Sequence, residues 1–346
     1  MTGILLIQLG TPDAPTKPAL KKYLRQFLGD HRVIEVPRLL WWLILNLFIL
    51  PTRPKASAAK YARIWDAKTG SPLLHHTKVQ TELLQKMFPG VPVRFGMQIG
   101  NPPLEDVVNE MIAQGVDRLI ALPMYPQYSA TTTASATDTL FKALMKVRKV
   151  PAIRIVPPYY AHPAYLDAMA ALIKDELAKL SWEPEHFVYS FHGIPQKYAQ
   201  RGDPYATHVV RTTRGLQERL KFPKGKFTQT YQSLFGKDEW LKPYTDDTLG
   251  KLAKQGVRKV FVMLPGFTAD CLETIDEIGH ESLEHFKEAG GEILHQCRCL
   301  NDHPAWIQAM KTIIEDEGAG WLPAEKVQLP AVSDRDTSGL SHSAVV

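Results

Sequence analysis

Two short segments carry ionisable side chains where an apolar run gives way to a turn. In Ser190-Phe191-His192-Gly193-Ile194-Pro195 the group is an imidazole. In Leu264-Pro265-Gly266-Phe267-Thr268-Ala269-Asp270-Cys271-Leu272-Glu273 it is a carboxylate, and the chain continues Thr274-Ile275-Asp276-Glu277-Ile278-Gly279-His280-Glu281. If that continuation is helical, Glu273, Glu277 and Glu281 recur every four residues and form one ridge. Like charges so placed cost stability, and a cation or a proton relieves the cost. A histidine facing such a file therefore implies metal or proton traffic.

The elements that must position these groups read as an α/β alternation. Short apolar runs ending in Gly/Pro turns recur at residues 4–9, 93–96, 119–122, 187–191 and 260–264. Helix-period segments lie between them at residues 73–87, 104–114, 164–180, 205–220 and 274–289. Strands alternating with helices imply parallel sheets, with ligands at the carboxyl ends of the strands. Gly115-Val116-Asp117-Arg118-Leu119-Ile120-Ala121-Leu122-Pro123 echoes Gly256-Val257-Arg258-Lys259-Val260-Phe261-Val262-Met263-Leu264-Pro265. The echo suggests a duplicated Rossmann-like unit with its site between the halves; two generic helix-to-strand connections would also give it. The expected units are residues 1–160 and 161–303, hinged around residues 151–163, with residues 330–346 a disordered tail.

At 346 residues, 45% hydrophobic and 22% charged, the chain suits a two-domain globular protein. The net charge of +5 is spread rather than massed, which points to acidic small molecules or an anionic membrane and away from a nucleic-acid groove. Cys271, Cys297 and Cys299 cannot build a disulfide framework and fit a reducing cytosol. With the first lysine at Lys17, no basic leader precedes residues 4–9, and secretion is not expected. There is no G-x-G-x-x-G, no Walker lysine and no G-x-S-x-G elbow, so neither nucleotide binding nor acyl transfer is expected.

Residues 39–50, Leu-Leu-Trp-Trp-Leu-Ile-Leu-Asn-Leu-Phe-Ile-Leu, are followed by Pro51. The run falls short of the roughly 20 residues a bilayer span needs. It reads as a core helix or as an exposed greasy lip dipping into a membrane interface, with Arg38, Arg53 and Lys55 flanking it. The paired tryptophans favour the lip.

The ordered set formed by the His192 segment, Arg201-Gly202-Asp203-Pro204-Tyr205, Tyr231-Gln232-Ser233 with Trp240, and Asp270-Cys271-Leu272-Glu273-Thr274 resembles the ferrochelatase family. The likeness extends to Thr2-Gly3-Ile4-Leu5-Leu6 and Tyr125-Pro126-Gln127-Tyr128-Ser129 and covers the chain to about residue 320. It implies the chelatase-type fold, two Rossmann-like domains clamping a porphyrin between them, with a C-terminal helix near residues 304–320 returning to the first domain. It also implies insertion of Fe2+ into protoporphyrin IX to give protohaem, coproporphyrin being the weaker option.

By the same resemblance His192 and Glu273 are the catalytic and metal-handling pair, with Glu277 and Glu281 as a metal or proton path. His192 would accept a pyrrole proton or touch the iron as it docks. Leu9, Tyr61 and Trp240 would pack on the ring, and Arg53 and Ser71 would meet the propionates; core packing is the alternative for each aromatic. Cys271 stands where many relatives have histidine, Gln98 where some have arginine. Some members hold a [2Fe-2S] cluster, but Ala130 occupies the matching loop position and the tail lacks cysteine, so no permanently bound cofactor is expected and Fe2+ is a substrate. Cys297-Arg298-Cys299 reads as strand, with both thiols on one side. A cytoplasmic monomer, peripheral at the membrane through residues 39–50, is the expected form. A cobalt or sirohydrochlorin chelatase and a non-enzymatic tetrapyrrole binder are the rival readings.

Overall fold

The computed structural model describes residues 1–322 except Phe235 and Lys237; the expected tail at residues 330–346 lies outside the described residues. The first half runs β1 (Thr2–Thr11), α1 (Lys17–Phe27), α2 (Arg38–Ile44), α3 (Leu50–Ile64), α4 (Pro72–Met87), β2 (Val93–Gly100), α5 (Leu104–Ala113), β3 (Arg118–Pro123), α6 (Ser135–Leu144) and β4 (Ala152–Ile155). The second runs α7 (Pro163–Ala178), β5 (His186–His192), α8 (Gln196–Gln200), α9 (Tyr205–Leu220), β6 (Phe227–Gln232), α10 (Thr245–Lys254), β7 (Lys259–Met263), α11 (Leu272–Ile275), α12 (Leu283–Glu288), β8 (Ile293–Gln296) and α13 (Pro304–Glu317).

Each half forms a four-stranded parallel sheet, ordered β2-β1-β3-β4 and β6-β5-β7-β8. The orders coincide strand for strand, and the two echoing segments of the sequence occupy the same place in each sheet, as β3 and β7. Ile4, Leu5, Leu6 and Ile7 of β1 have no exposure at all, because helices cover both faces of a parallel sheet. The single glycine of the Gly10-Thr11-Pro12 turn has a structural reason. It sits at φ 109°, and a Cβ there would lie 1.7 Å from the Ile99 carbonyl oxygen.

One apolar cluster runs from Ile4 and Leu122 of the first sheet through Tyr165 and Trp306 to Phe191 and Phe261 of the second. The C-terminal helix α13 packs on α7, α4 and β3 and so closes against the first half.

Residues 39–50 divide between the two readings the sequence allows. Trp41, Leu45 and Leu50 are buried, whereas Leu39, Trp42, Leu47 and Phe48 are 77%, 59%, 60% and 67% exposed. Pro51 has no N–H to give Leu47, and the Leu50 N–H reaches back five residues to Leu45, so Leu45–Ile49 winds as a π-turn. The Thr52 hydroxyl donates to the Phe48 carbonyl at 2.7 Å. Among the described residues no helix is long and apolar enough to cross a membrane.

Candidate active site

β5 delivers His192 at its carboxyl end, half-buried, where parallel register sets it beside Gln232 of β6. The imidazole Nδ1 lies 2.7 Å from the Gly193 carbonyl. A carbonyl only accepts, so Nδ1 carries a proton, and in the neutral ring Nε2 keeps its lone pair. The Tyr205 hydroxyl donates to the His192 carbonyl at 2.8 Å, fixing the backbone from the other side. Trp240 stands with its ring centroid 6.4 Å from that of His192. A Cβ on Gly193 would come within 3.0 Å of the Gln232 carbonyl and 3.1 Å of the Trp240 ring, so a small residue here lets the tryptophan approach.

Gln232 joins the two halves of the proposed chemistry. Its Oε1 accepts from the Ser190 hydroxyl at 2.7 Å, and its Nε2 donates to the Glu273 carbonyl at 2.6 Å. The turn that presents Glu273 is fixed by Asp270, which accepts from Thr274 at 2.8 Å and Asn301 at 2.6 Å. Thr274 and Cys271 also form a reciprocal cap at the start of α11. The helix then loosens into a π-turn over Glu277–Ser282, where Glu281 N–H reaches Asp276 at 2.9 Å. The expected carboxylate ridge is therefore helical but not regular.

Glu277 accepts a hydrogen bond from the Ser233 hydroxyl. Burial, then the nearby Glu273 charge, pushes its pKa up from 4.5 to about 7, with Ser233, Lys60 and Gln232 opposing. Burial is also the main cause of the raised pKa of Tyr23, Tyr61 and Cys271, and Glu273 adds to each. Cys271 is thus a buried neutral thiol. Arg53 lies exposed on α3, yet enough protein surrounds its guanidinium for desolvation to lower its pKa, which Glu277 partly offsets.

A raised folded-state pKa means that Glu277 is accommodated as a neutral acid and resisted as an anion. The resulting strain is absent below pH 4.5 and complete once pH has risen past about 7. Glu277→Gln should therefore stabilise the protein at pH 8 by about 1–3 kcal/mol and by much less at pH 5, read from urea midpoints. An equal gain at both pH values would place this carboxyl in the ordinary range.

Tyr61 is buried in a cluster with Tyr23, Ile99 and, from the carboxylate side, Leu272 and Ile275; Leu9 packs against the same cluster. Glu281 is engaged away from Glu277: Lys60 holds it at 2.6 Å and Arg63 at 3.3 Å. Arg63 also clasps the fully buried Asp276 with two bonds of 2.6 and 2.8 Å. Ser71 is buried at the N-cap of α4, a helix that meets the segment before Glu273 through Leu73, which packs on Ala269 and Cys271, and through Gln80, which donates to the Thr268 carbonyl at 2.9 Å. Gln98 accepts from the Tyr125 hydroxyl at 2.6 Å and donates to Ser135 at 3.0 Å, a structural role that an arginine would not fill in the same way.

Asp203 binds the loop after Tyr128, accepting from Ser129 at 2.9 Å and from the Ala130 N–H at 2.8 Å. The thiols of Cys297 and Cys299 do not share one side. β8 ends at Gln296, and the two residues enter different core clusters. Among the described residues no three His, Cys, Asp or Glu side chains gather so as to hold a metal ion. The roles of Gln232, Tyr205, Lys60, Arg63 and Asp276 were not assigned from sequence. Only Tyr205 and Gln232 carried a signal there, as members of the quoted motifs.

The family model described as Ferrochelatase matches residues 1–318. A ferrochelatase of Mesorhizobium japonicum is 48% identical over 324 residues, 92% of each chain, and one of Brucella ovis is 47% identical over the same length and share. Among solved structures, SirB from Bacillus subtilis with Fe3+ superposes with a TM-score of 0.52 at 15% identity, covering 92% of this chain and 96% of that one. The sirohydrochlorin chelatase SirB from Bacillus subtilis subspecies spizizenii with cobalt gives 0.54 at 12% identity, over 91% and 94%. At such identities the structural likeness concerns the fold.

Proposed function

Because the chain belongs to the ferrochelatase family, we propose that this metal chelatase, which inserts metal into porphyrin for haem synthesis, takes ferrous iron and protoporphyrin IX as its substrates. The supporting observation is the Gln232 bridge, which couples the strand carrying His192 to the turn carrying Glu273. Metallation releases two pyrrole protons as the divalent ion enters. His192 Nε2, with its lone pair unoccupied by the Gly193 contact, is the group to accept one of them or to meet the ion. Glu273 holds the iron; imidazole and carboxylate both suit it. Glu277, titrating near neutrality, exchanges protons at the operating pH, as a relay requires.

Leu9, Tyr61 and Trp240 supply the apolar contacts that would hold the macrocycle bent, using rim binding energy to expose the nitrogen lone pairs. Arg53 is the candidate for a propionate, and its exposure suits a group left half in water. Ser71, buried at a helix N-cap, is the weaker of the two propionate candidates. An apolar surround favours protoporphyrin IX over more carboxylated tetrapyrroles such as coproporphyrin. The exposed face of residues 39–50 supports peripheral contact with a membrane, and three unpaired cysteines suit a reducing compartment. No iron–sulfur cluster is part of this reading; purified protein should lack its visible absorption.

Incubating the protein anaerobically with protoporphyrin IX and ferrous or zinc ion, and following the visible spectrum, should show many turnovers per chain. Stoichiometric binding without turnover would make it a tetrapyrrole carrier, and turnover only with sirohydrochlorin and cobalt would make it a chelatase of another class.

A further inference from the structure

Between α1 and α2 lies an open recess of about 510 Å³, lined by Arg25, Arg38, Trp41, Trp42 and Asn46. That size is within the range of small-ligand sites. The Arg38 guanidinium is steadied by a bond to the Gly29 carbonyl at 2.9 Å, and the Trp41 indole N–H donates to Leu28 at 2.6 Å. Asn46 donates to the Trp42 carbonyl at 2.9 Å. Among the described residues neither Arg25 nor Arg38 pairs with a carboxylate, a trait shared with Arg94, Arg148 and Arg211; what sets the two apart is that one recess takes both. Two cations thus share one concave wall without a counter-charge from the protein. On α2 and its π-turn Leu39, Leu40, Trp42, Leu47 and Phe48 stand between 52% and 77% exposed.

We propose that this recess seats the phosphate of an anionic phospholipid while the exposed apolar face of α2 and its π-turn enters the bilayer around it. The inference rests on the peripheral-membrane reading above and assigns that contact a headgroup and a set of residues. Arginine forks match phosphate oxygens in pairs, tryptophan prefers the headgroup level, and a basic rim is drawn to an anionic leaflet. A soluble phosphate would satisfy the arginines but leave the apolar face in water, so a lipid is the occupant that accounts for both features. Since α2 leads through the π-turn into α3, which carries Arg53 and Tyr61, such docking would set the proposed porphyrin cleft at the membrane surface.

The full-length protein is to be sedimented with vesicles of phosphatidylcholine alone and with about a third phosphatidylglycerol, where each lost charge weakens binding about fivefold. Wild type should prefer the anionic vesicles. The Arg25→Gln/Arg38→Gln double variant should bind them about twenty-five-fold more weakly, without loss of binding to neutral vesicles and with unchanged metallation of detergent-dispersed protoporphyrin. A Leu43→Ser/Leu47→Ser/Phe48→Ser triple variant should bind neither. If wild type binds no vesicle, the peripheral reading itself falls. If the double variant keeps the anionic preference while the triple variant loses all binding, the peripheral reading stands and the recess proposal falls. Glycerol 3-phosphate raising the melting temperature of wild type and displacing it from vesicles would make the recess a soluble-phosphate site, and self-association lost in the triple variant without vesicle binding would make a second copy the occupant; either overturns the proposal.

Discussion

Substituting alanine for His192 is expected to slow porphyrin metallation by about 10²–10⁴-fold, the usual range for losing one positioned proton-transfer group. The residue stands at the end of a strand whose neighbours on both sides are fixed. Tyr205 anchors its carbonyl, Gly193 sets its tautomer, and Trp240 stands beside the ring. Removing a half-exposed imidazole leaves these supports in place, so the melting temperature should hardly move while turnover collapses. Binding of porphyrin, followed by fluorescence quenching, should survive within a fewfold, because the apolar contacts are proposed to lie on other residues. Metallation near the wild-type rate in His192→Ala would remove His192 from the mechanism.

Replacing Arg63 by alanine should cost about 2–3 kcal/mol of stability, a little below the cost of breaking a wholly buried ion pair because Arg63 is half-exposed. Asp276 has no contact with solvent, and both of its oxygens accept from this one guanidinium. Without Arg63 a buried carboxylate is stranded, and α3 also loses one of its two ionic ties to Glu281. Arg53 and Tyr61 ride on α3, so KM for the porphyrin should rise more than kcat falls. Adding Asp276→Asn to the Arg63→Ala protein should recover most of the stability, since the uncompensated charge is then gone. A loss below about 0.5 kcal/mol in the single variant would class the contact with ordinary surface pairs.

The parts of the fold that could be read in advance were those with long apolar signals. β1, β3, β5 and β7 are the inner strands of their sheets, buried on both faces, and they stand out as continuous apolar runs. β6 escaped because its residues alternate Thr, Gln, Thr, Tyr and Gln, and polar side chains such as Thr230 and Gln232 are buried there only by virtue of their neighbours. β4 and β8 are four residues long, too short for any period to register. The π-turn at Glu277–Ser282 was invisible for a related reason: one extra residue shifts the apolar stripe without erasing it.

His192 and Glu273 could be proposed from residue type and motif alone, whereas contacts made by pairing across the chain could not be read from the sequence. Gln232 matters because parallel register places it beside His192, and Lys60 and Arg63 matter because α3 folds against a segment more than two hundred residues away. Glu281 looked like the third member of a relay when only spacing was known. Its two basic partners, Lys60 and Arg63, also tie α3 to the carboxylate helix, a contact that spacing could not show.

Both members of the proposed metal-handling pair are mounted on the second sheet, His192 on β5 and Glu273 on the turn after the adjoining β7, and Gln232 fastens one to the other. The first half carries Leu9, Arg53 and Tyr61, the residues proposed to meet the porphyrin from the other sheet's side. A motion of one half against the other would therefore leave the spacing of imidazole and acid unaltered. Such a construction lets a bulky flat guest come and go while the tool that acts on it keeps its calibration.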